Sequence, residues 1–149
     1  MNSGSSKDQG LIIKVICADC RVWPPLTQAI LSQDSSNPYL LAFAGTTKPI
    51  LDIGARSYML REQFGLLLCG QKIAAIHLYH HLDCRGWGGQ GIHASRDAEI
   101  AFHAEHCRVA GGILLGRFPH IQLAVHGHIV GLDGRVVEKV EAHAMTATR

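Results

Sequence analysis

The sequence predicts an α/β fold: a mostly parallel central sheet flanked by helices, with a C-terminal antiparallel hairpin strand. Short apolar runs rich in β-branched residues alternate along the chain with longer segments in which apolar residues recur at helical spacing. Clusters of glycine, proline, aspartate and asparagine separate these segments. The last two apolar runs are joined by a turn that contains Asp133 and Gly134, a strong signal for an antiparallel hairpin.

The predicted strands share a high content of isoleucine, leucine, valine and alanine, as buried strands do. They cover residues 11–16, 39–44, 72–79, 121–130 and 136–140. The first strand leads into Cys17, and the third leads into His80 and His81. Ligands of α/β sheets bind at the carboxyl ends of the strands, so we expect these residues to lie at one edge of the sheet.

The predicted helices are bounded by residues that usually start and end helices. They cover residues 26–33, 53–68 and the segment from Ser95 to about residue 115. Pro24 and Pro25 precede the first helix, Gly70 stands where a C-cap glycine belongs, and Ser95 is a suitable N-cap. No repeat or linker divides the chain, so we expect one domain at 11–149 after a disordered arm at 1–10.

Charge and hydrophobicity narrow the classes of function. The chain has 149 residues, of which 47% are apolar and 17% charged, and its net charge is +2. These values fit a globular domain and give no reason to expect a nucleic-acid partner. No apolar run reaches the length of about 18 residues that a membrane span needs, and residues 1–10 lack the apolar core of a signal peptide. We therefore expect a cytoplasmic protein without a membrane partner, whose five cysteines are thiols or metal ligands.

Two short strings after predicted strands carry the residue types of a metal site. Cys17 ends the first strand, and His81 and Cys84 follow the third. Two thiolates and an imidazole are ligands that zinc prefers, and three protein ligands leave a fourth coordination position open. Asp19 and Arg21 stand on the same string as Cys17, which would put a carboxylate and a guanidinium beside that position. The combination favours a catalytic zinc over a structural one.

Plainer interpretations of the same residues stay open. Cys20 forms a Cys-x-x-Cys pair with Cys17, and together with His81 and Cys84 it would complete a closed, four-ligand structural zinc site. The pair could also be a redox motif, although the surrounding chain lacks the expected active-site loop. The carboxylate and guanidinium of the first string could form a plain ion pair. We expect Asp83 to support the ligand loop through hydrogen bonds.

Further histidines and cysteines carry weaker signals. His103 and His106 lie three positions apart on the predicted long helix, and Glu99 lies four positions before His103. This spacing predicts a solvated polar face, with a second metal site as the alternative. Cys69 and Cys107 are expected to be core residues.

The two strings resemble the signatures of the β-class carbonic anhydrases, which are Cys-x-Asp-x-Arg after the first strand and His-x-x-Cys after a later one. Here they occupy residues 17–21 and 81–84. Ala44 and Gly45 resemble the Ala-Gly step that lines the site in that family. The glycine-rich loop at 86–91, the long helix and the closing hairpin come in the family's order, so the resemblance spans about 11–140 and indicates a compact, divergent branch.

The resemblance implies one Zn²⁺ per chain, held by Cys17, His81 and Cys84. It implies reversible hydration of carbon dioxide to bicarbonate by a zinc-bound hydroxide. Asp19 would accept the hydrogen bond of that hydroxide, and Arg21 would hold Asp19 away from the metal; the fourth ligand is either a water or Asp19. The family also implies a homodimer or a higher homo-oligomer.

Two other functions stay open at this point. The same site could hydrolyse carbonyl sulfide or carbon disulfide, as relatives of this fold do. Alternatively, the chain could be a non-catalytic zinc-containing module that binds bicarbonate or a partner protein. Arg85, where the family usually carries glycine, and the lack of an arginine-asparagine pair before Ala44 keep that alternative open.

Overall fold

A five-stranded sheet in the order β2-β1-β3-β4-β5 forms the centre of the protein. The computed structural model describes residues 10–33 and 38–144, so residues 1–9 of the predicted arm and residues 145–149 of the predicted domain lie outside the described residues. The strands are β1 (Leu11–Cys17), β2 (Tyr39–Phe43), β3 (Ile73–His81), β4 (Ala124–Val130) and β5 (Val136–Glu141). Strands β1 to β4 are parallel, and β5 pairs antiparallel with β4. The predicted fold class is confirmed.

The three predicted helical regions are helical with different ends, and a short helix at 48–51 was not predicted. They are α1 (Trp23–Gln33), α2 (Lys48–Leu51), α3 (Ile53–Tyr58), α4 (Leu66–Gly70) and α5 (Arg96–Arg117), and a π-helical segment (Met59–Gly65) joins α3 to α4. Helix α1 begins three residues before the prediction and includes both prolines in its first turn, where the missing N–H groups have no intrahelical role. Ser95 caps α5, because its side chain accepts from the Ala98 N–H.

Several strand ends differ from the prediction, including the following three. Strand β2 stops at Phe43, so Ala44 belongs to the following turn. Strand β3 continues through His81 because that residue still pairs with Val130 of β4. Strand β4 begins at Ala124, three residues after the predicted start.

Apolar side chains fill both faces of the sheet. Helices α2 to α5 and the π-helical segment cover one face, with Phe64 and Leu114 among the fully buried residues. Helix α1 covers part of the other face, with a cluster formed by Ile16, Val22, Leu26, Ile30, Tyr79 and Val130. Each fully buried side chain of this size contributes roughly 1.5–3 kcal/mol. Cys107 is buried as predicted, whereas the prediction for Cys69 is wrong because its side chain is exposed.

The order of the strands determines where a site can form. From β1 the chain moves to β2 on one side and then returns to β3 on the other side, so the connections change direction between β1 and β3. In parallel sheets, ligands bind at the carboxyl ends of the strands at such a switch point. Cys17 ends β1 and His81 ends β3, which brings two residues distant in sequence to that point.

The predicted homodimer stays a prediction.

Candidate metal centre

Three potential metal ligands meet at the carboxyl edge of the sheet. Cys17 and His81 are the last residues of β1 and β3, and Cys84 follows β3 after a short turn. Their ligand atoms lie within 4.8 Å of one another, and all three residues are buried. The two sulfur atoms are 3.8 Å apart. Within residues 10–33 and 38–144, this is the one group of three or more histidine, cysteine or acidic residues that could hold a metal ion.

The His81 imidazole is oriented for ligation. Its Nδ1 lies 2.8 Å from the carbonyl oxygen of Leu82. A carbonyl can only accept a hydrogen bond, so Nδ1 carries the proton and Nε2 presents a lone pair. This Nε2 is buried and has no hydrogen-bond partner, a situation that typically costs about 1–3 kcal/mol. A metal ion bound beside the two sulfur atoms would satisfy it.

The two thiols are unequal. The hydrogen bond from Cys84 lowers the pKa of Cys17 to about 4 against the opposing effect of burial, and contacts with His81 and the Gly45 N–H act in the same direction. The same contact raises the pKa of Cys84. Burial favours neutral His81, but the neighbouring Cys17 sulfur and the Leu82 carbonyl raise its pKa overall. These contacts favour the thiolate form of Cys17, the form that ligates metals.

Asp19 lies beside the three ligands in a fixed orientation. Arg21 donates from Nη2 to Asp19 Oδ2 over 2.7 Å, and its Nε and backbone N–H also bind this carboxylate. These hydrogen bonds lower the pKa of Asp19 to about 2, although burial opposes the shift. Asp19 Oδ2 is 3.9 Å from His81 Nε2. An ionised carboxylate therefore faces the position where a metal ion would bind.

Asp83 holds the other side of the same guanidinium. Arg21 Nη1 donates to Asp83 Oδ2 and Arg21 Nη2 donates to the Asp83 carbonyl, both over 2.7 Å. Asp83 Oδ1 accepts from the Gln90 N–H at 3.0 Å. That bond, followed by those from Arg21, lowers the pKa of Asp83. Asp83 has a φ of +56°, a left-handed conformation that aspartate tolerates better than most residues. The turn between the ligands His81 and Cys84 is thus tied to Arg21.

Two glycines let the loop after β2 approach the loop that follows Cys84. A Cβ on Gly86 would lie 2.8 Å from the Gly45 nitrogen, and Gly45 itself has a φ of +71°. The Gly45 N–H donates to Cys17 Sγ at 3.4 Å, and its carbonyl accepts from Trp87 Nε1 at 2.9 Å. Of the two residues predicted to line the site, Gly45 is buried against a ligand and Ala44 is exposed.

The remaining cysteine of the first string lies outside the ligand group. Cys20 is exposed, and the three ligand atoms that lie together belong to Cys17, His81 and Cys84. This arrangement gives no support to the four-ligand structural site that a Cys-x-x-Cys pair allows.

Sequence reasoning missed a buried polar group behind the site. The solvated face predicted for the long helix is wrong at Glu99 and His103, which are 3% and 0% exposed. Burial, followed by the charges of nearby histidines, lowers the pKa of His103 to about 4. The signal was present in the spacing, because both residues continue the buried stripe of α5 that includes Cys107, Ala110 and Leu114.

Comparisons with known proteins leave the site to be interpreted from its own geometry. A scan against models of known protein families finds no match to this chain, and a search of curated proteins finds none. Within the part of the chain that the structure describes, no helix has the length and apolar character needed to cross a bilayer.

Proposed function

We propose that the chain is a zinc-dependent enzyme that interconverts carbon dioxide and bicarbonate in the manner of the β-class carbonic anhydrases. The observation that carries the proposal is the juxtaposition of two elements at one sheet edge. One is the buried group of Cys17, His81 and Cys84. The other is Asp19, which faces that group while Arg21 holds it.

The donor set fits zinc. Two zinc–sulfur bonds of about 2.3 Å at a tetrahedral angle place the sulfur atoms about 3.8 Å apart, and the Cys17–Cys84 separation is 3.8 Å. Magnesium and calcium bind thiolate ligands poorly, and a mixed set of sulfur and imidazole ligands is typical of zinc. Three protein ligands leave the fourth position for a reacting group. Arg85 has an exposed side chain, so this departure from the family's pattern does not fill the ligand pocket.

The chain's own residues supply orientation and charge. A zinc ion bound here would lower the pKa of a bound water to about 7 and so supply a nucleophile near neutral pH. Asp19 is ionised at that pH, so its carboxylate would accept a hydrogen bond from this nucleophile and orient it toward the substrate. Arg21 is engaged by Asp19 on one side and by Asp83 on the other. This double engagement prevents Arg21 from rotating and keeps Asp19 from taking the open position.

Stopped-flow hydration of carbon dioxide tests the proposal directly. The assay uses protein of measured zinc content between about pH 6.5 and 9, a range that spans the pKa of such a bound water. Turnover should rise with pH and in proportion to zinc content. Asp19→Ala should lower turnover by about 100-fold, whereas Asp97→Ala, which removes an exposed carboxylate on α5, should leave it unchanged.

The opposite result is equally informative. Protein with one zinc per chain and no hydration at any pH would rule out anhydrase activity. Carbonyl sulfide and carbon disulfide would then be assayed on the same samples. Inactivity toward all three substrates would leave a zinc-containing binding module.

A further inference from the structure

A line of four buried polar residues runs behind the metal centre; we name it the buried chain. It consists of Thr47, His80, His103 and Glu99, each no more than 3% exposed. Thr47 Oγ1 is 2.8 Å from His80 Nε2, and the Nδ1 atoms of His80 and His103 are 2.9 Å apart. His103 Nε2 faces Glu99 Oε1 at 3.8 Å.

The donor directions within the buried chain depend on the tautomers of the two histidines, because a neutral imidazole has one N–H. With that proton of His103 on Nε2, it faces the Glu99 carboxylate beyond hydrogen-bond distance. His103 Nδ1 then accepts from His80 Nδ1–H, and His80 Nε2 accepts from the Thr47 hydroxyl. The buried chain therefore packs against Glu99, and the hydrogen bond that Glu99 itself makes leads toward the metal centre.

Glu99 in turn binds the turn between two metal ligands. Its Oε1 accepts a hydrogen bond from the backbone N–H of Asp83. Asp83 adopts the left-handed conformation and holds Arg21 through both its side chain and its carbonyl. The contacts therefore run without a gap from Glu99 through Asp83 and Arg21 to Asp19.

We propose that Glu99 is a positioning residue for the metal centre. It fixes the turn at Asp83 and, through Arg21, keeps the Asp19 carboxylate out of the open coordination position. Without an acceptor at Glu99, the turn at Asp83 relaxes, Arg21 loses its second anchor, and Asp19 is free to compete for the metal. This inference rests on the metal site of the proposed function and is independent of the reaction catalysed there.

Cobalt(II) replacing zinc provides the test, because its visible spectrum reports the coordination of the open position. Azide titrations of the cobalt protein measure how readily an external anion binds there. Glu99→Ala should weaken azide binding by about 10- to 100-fold at unchanged cobalt stoichiometry, the range typical of residues behind metal ligands. Glu99→Gln retains an oxygen acceptor and should show a clearly smaller effect. Glu105→Ala, on the exposed side of α5, should behave as wild type.

Removal of Asp19 separates positioning from a general effect on folding. In Asp19→Ala protein no carboxylate competes with azide, so adding Glu99→Ala should change azide binding little. Equal weakening in both backgrounds, or no weakening in either, would overturn the inference. If Glu99→Ala does not fold, it is replaced by Glu99→Leu, which fills the space without an acceptor. This variant should likewise weaken azide binding in the wild-type background and change it little in Asp19→Ala protein. If neither variant folds, azide binding of Glu99→Gln is measured in the wild-type and the Asp19→Ala backgrounds. A weakening in the wild-type background alone supports the inference, and equal weakening or no weakening in both overturns it.

The two proposals fail in different ways. Absence of carbon dioxide hydration together with the expected azide pattern would contradict the proposed function alone. Hydration by the wild type together with azide binding that is indifferent to Glu99→Ala would contradict the role of Glu99 alone.

Discussion

Two histidine pairs, each with ring nitrogens at nearly the same hydrogen-bond distance, lie on opposite faces of the sheet. In the buried chain, the ring nitrogens of His80 and His103 are 2.9 Å apart. In a second group, which we name the sheet-face cluster (His77, His126 and His128), His77 Nδ1 and His128 Nε2 are 2.8 Å apart. His77 and His80 belong to the same strand and point to opposite faces because side chains alternate along a strand.

The two groups differ in the exposure of the carboxylate that each one contacts. The buried chain ends on Glu99, whose side chain is 4% exposed and binds the turn between two metal ligands. The sheet-face cluster ends on Glu141, whose side chain is 62% exposed and lies 2.6 Å from His126 Nδ1. A carboxylate in water exchanges partners freely, whereas a buried one holds its donors in place. Position along the strand and depth therefore decide whether a histidine pair can influence the site.

The largest expected difference concerns metal binding by two histidines of β3. His81→Ala removes a ligand and should weaken zinc affinity by at least about 100-fold, more than the loss of a supporting residue does. His77→Ala, four positions earlier on the same face, should retain zinc like the wild type. Metal content after dialysis against a weak chelator measures both variants. Equal zinc loss in the two would remove the distinction between these histidines.

Acid stability should separate His103 from His128. The pKa of each is lowered from 6.5 to about 4, mainly by burial. Above about pH 6.5 the folded and unfolded states are both neutral at these groups. Between pH 6.5 and about 4, the unfolded chain binds a proton that the folded chain does not, so the free energy of unfolding falls, by up to about 3 kcal/mol for a fully buried histidine such as His103.

Urea unfolding at several pH values measures this effect. His103→Asn should flatten the loss of stability in that range. His128→Asn should flatten it less, because His128 is partly exposed and solvent screens its charged form. Identical slopes in the two variants would show that depth does not distinguish the groups.

The smallest effect is expected at the exposed end of the sheet-face cluster. Glu141→Gln weakens a contact with His126 that is largely in water, so the free energy of unfolding should fall by about 1 kcal/mol or less. Thermal unfolding at low and high salt measures the change, which salt should reduce further. A loss of several kcal/mol would mean that this pair is as important to the fold as a buried one.

Local sequence patterns correctly predicted the fold class and the edge of the sheet at which the candidate site lies. Alternation of apolar strands and helical segments led to the confirmed fold class, and the strand ends placed Cys17 and His81 where the metal-binding group lies. The solvated face predicted for α5 was wrong at Glu99 and His103, because polar residue types suggest solvent even when their spacing continues an apolar stripe. Their burial depends on hydrogen bonds to residues distant in sequence, such as Asp83, which no local pattern contains.

The contact between Gly45 and Gly86 has a consequence for the size of ion that the protein accepts. The loop after β2, whose Gly45 N–H donates to the Cys17 sulfur, meets the loop that carries Cys84 backbone to backbone there, with no flexible side chain between them. An ion that forms longer bonds to sulfur would have to move Cys17 or Cys84 relative to this rigid contact between main-chain atoms. We therefore expect the spacing of the donor atoms to select ions by radius as well as by chemical softness.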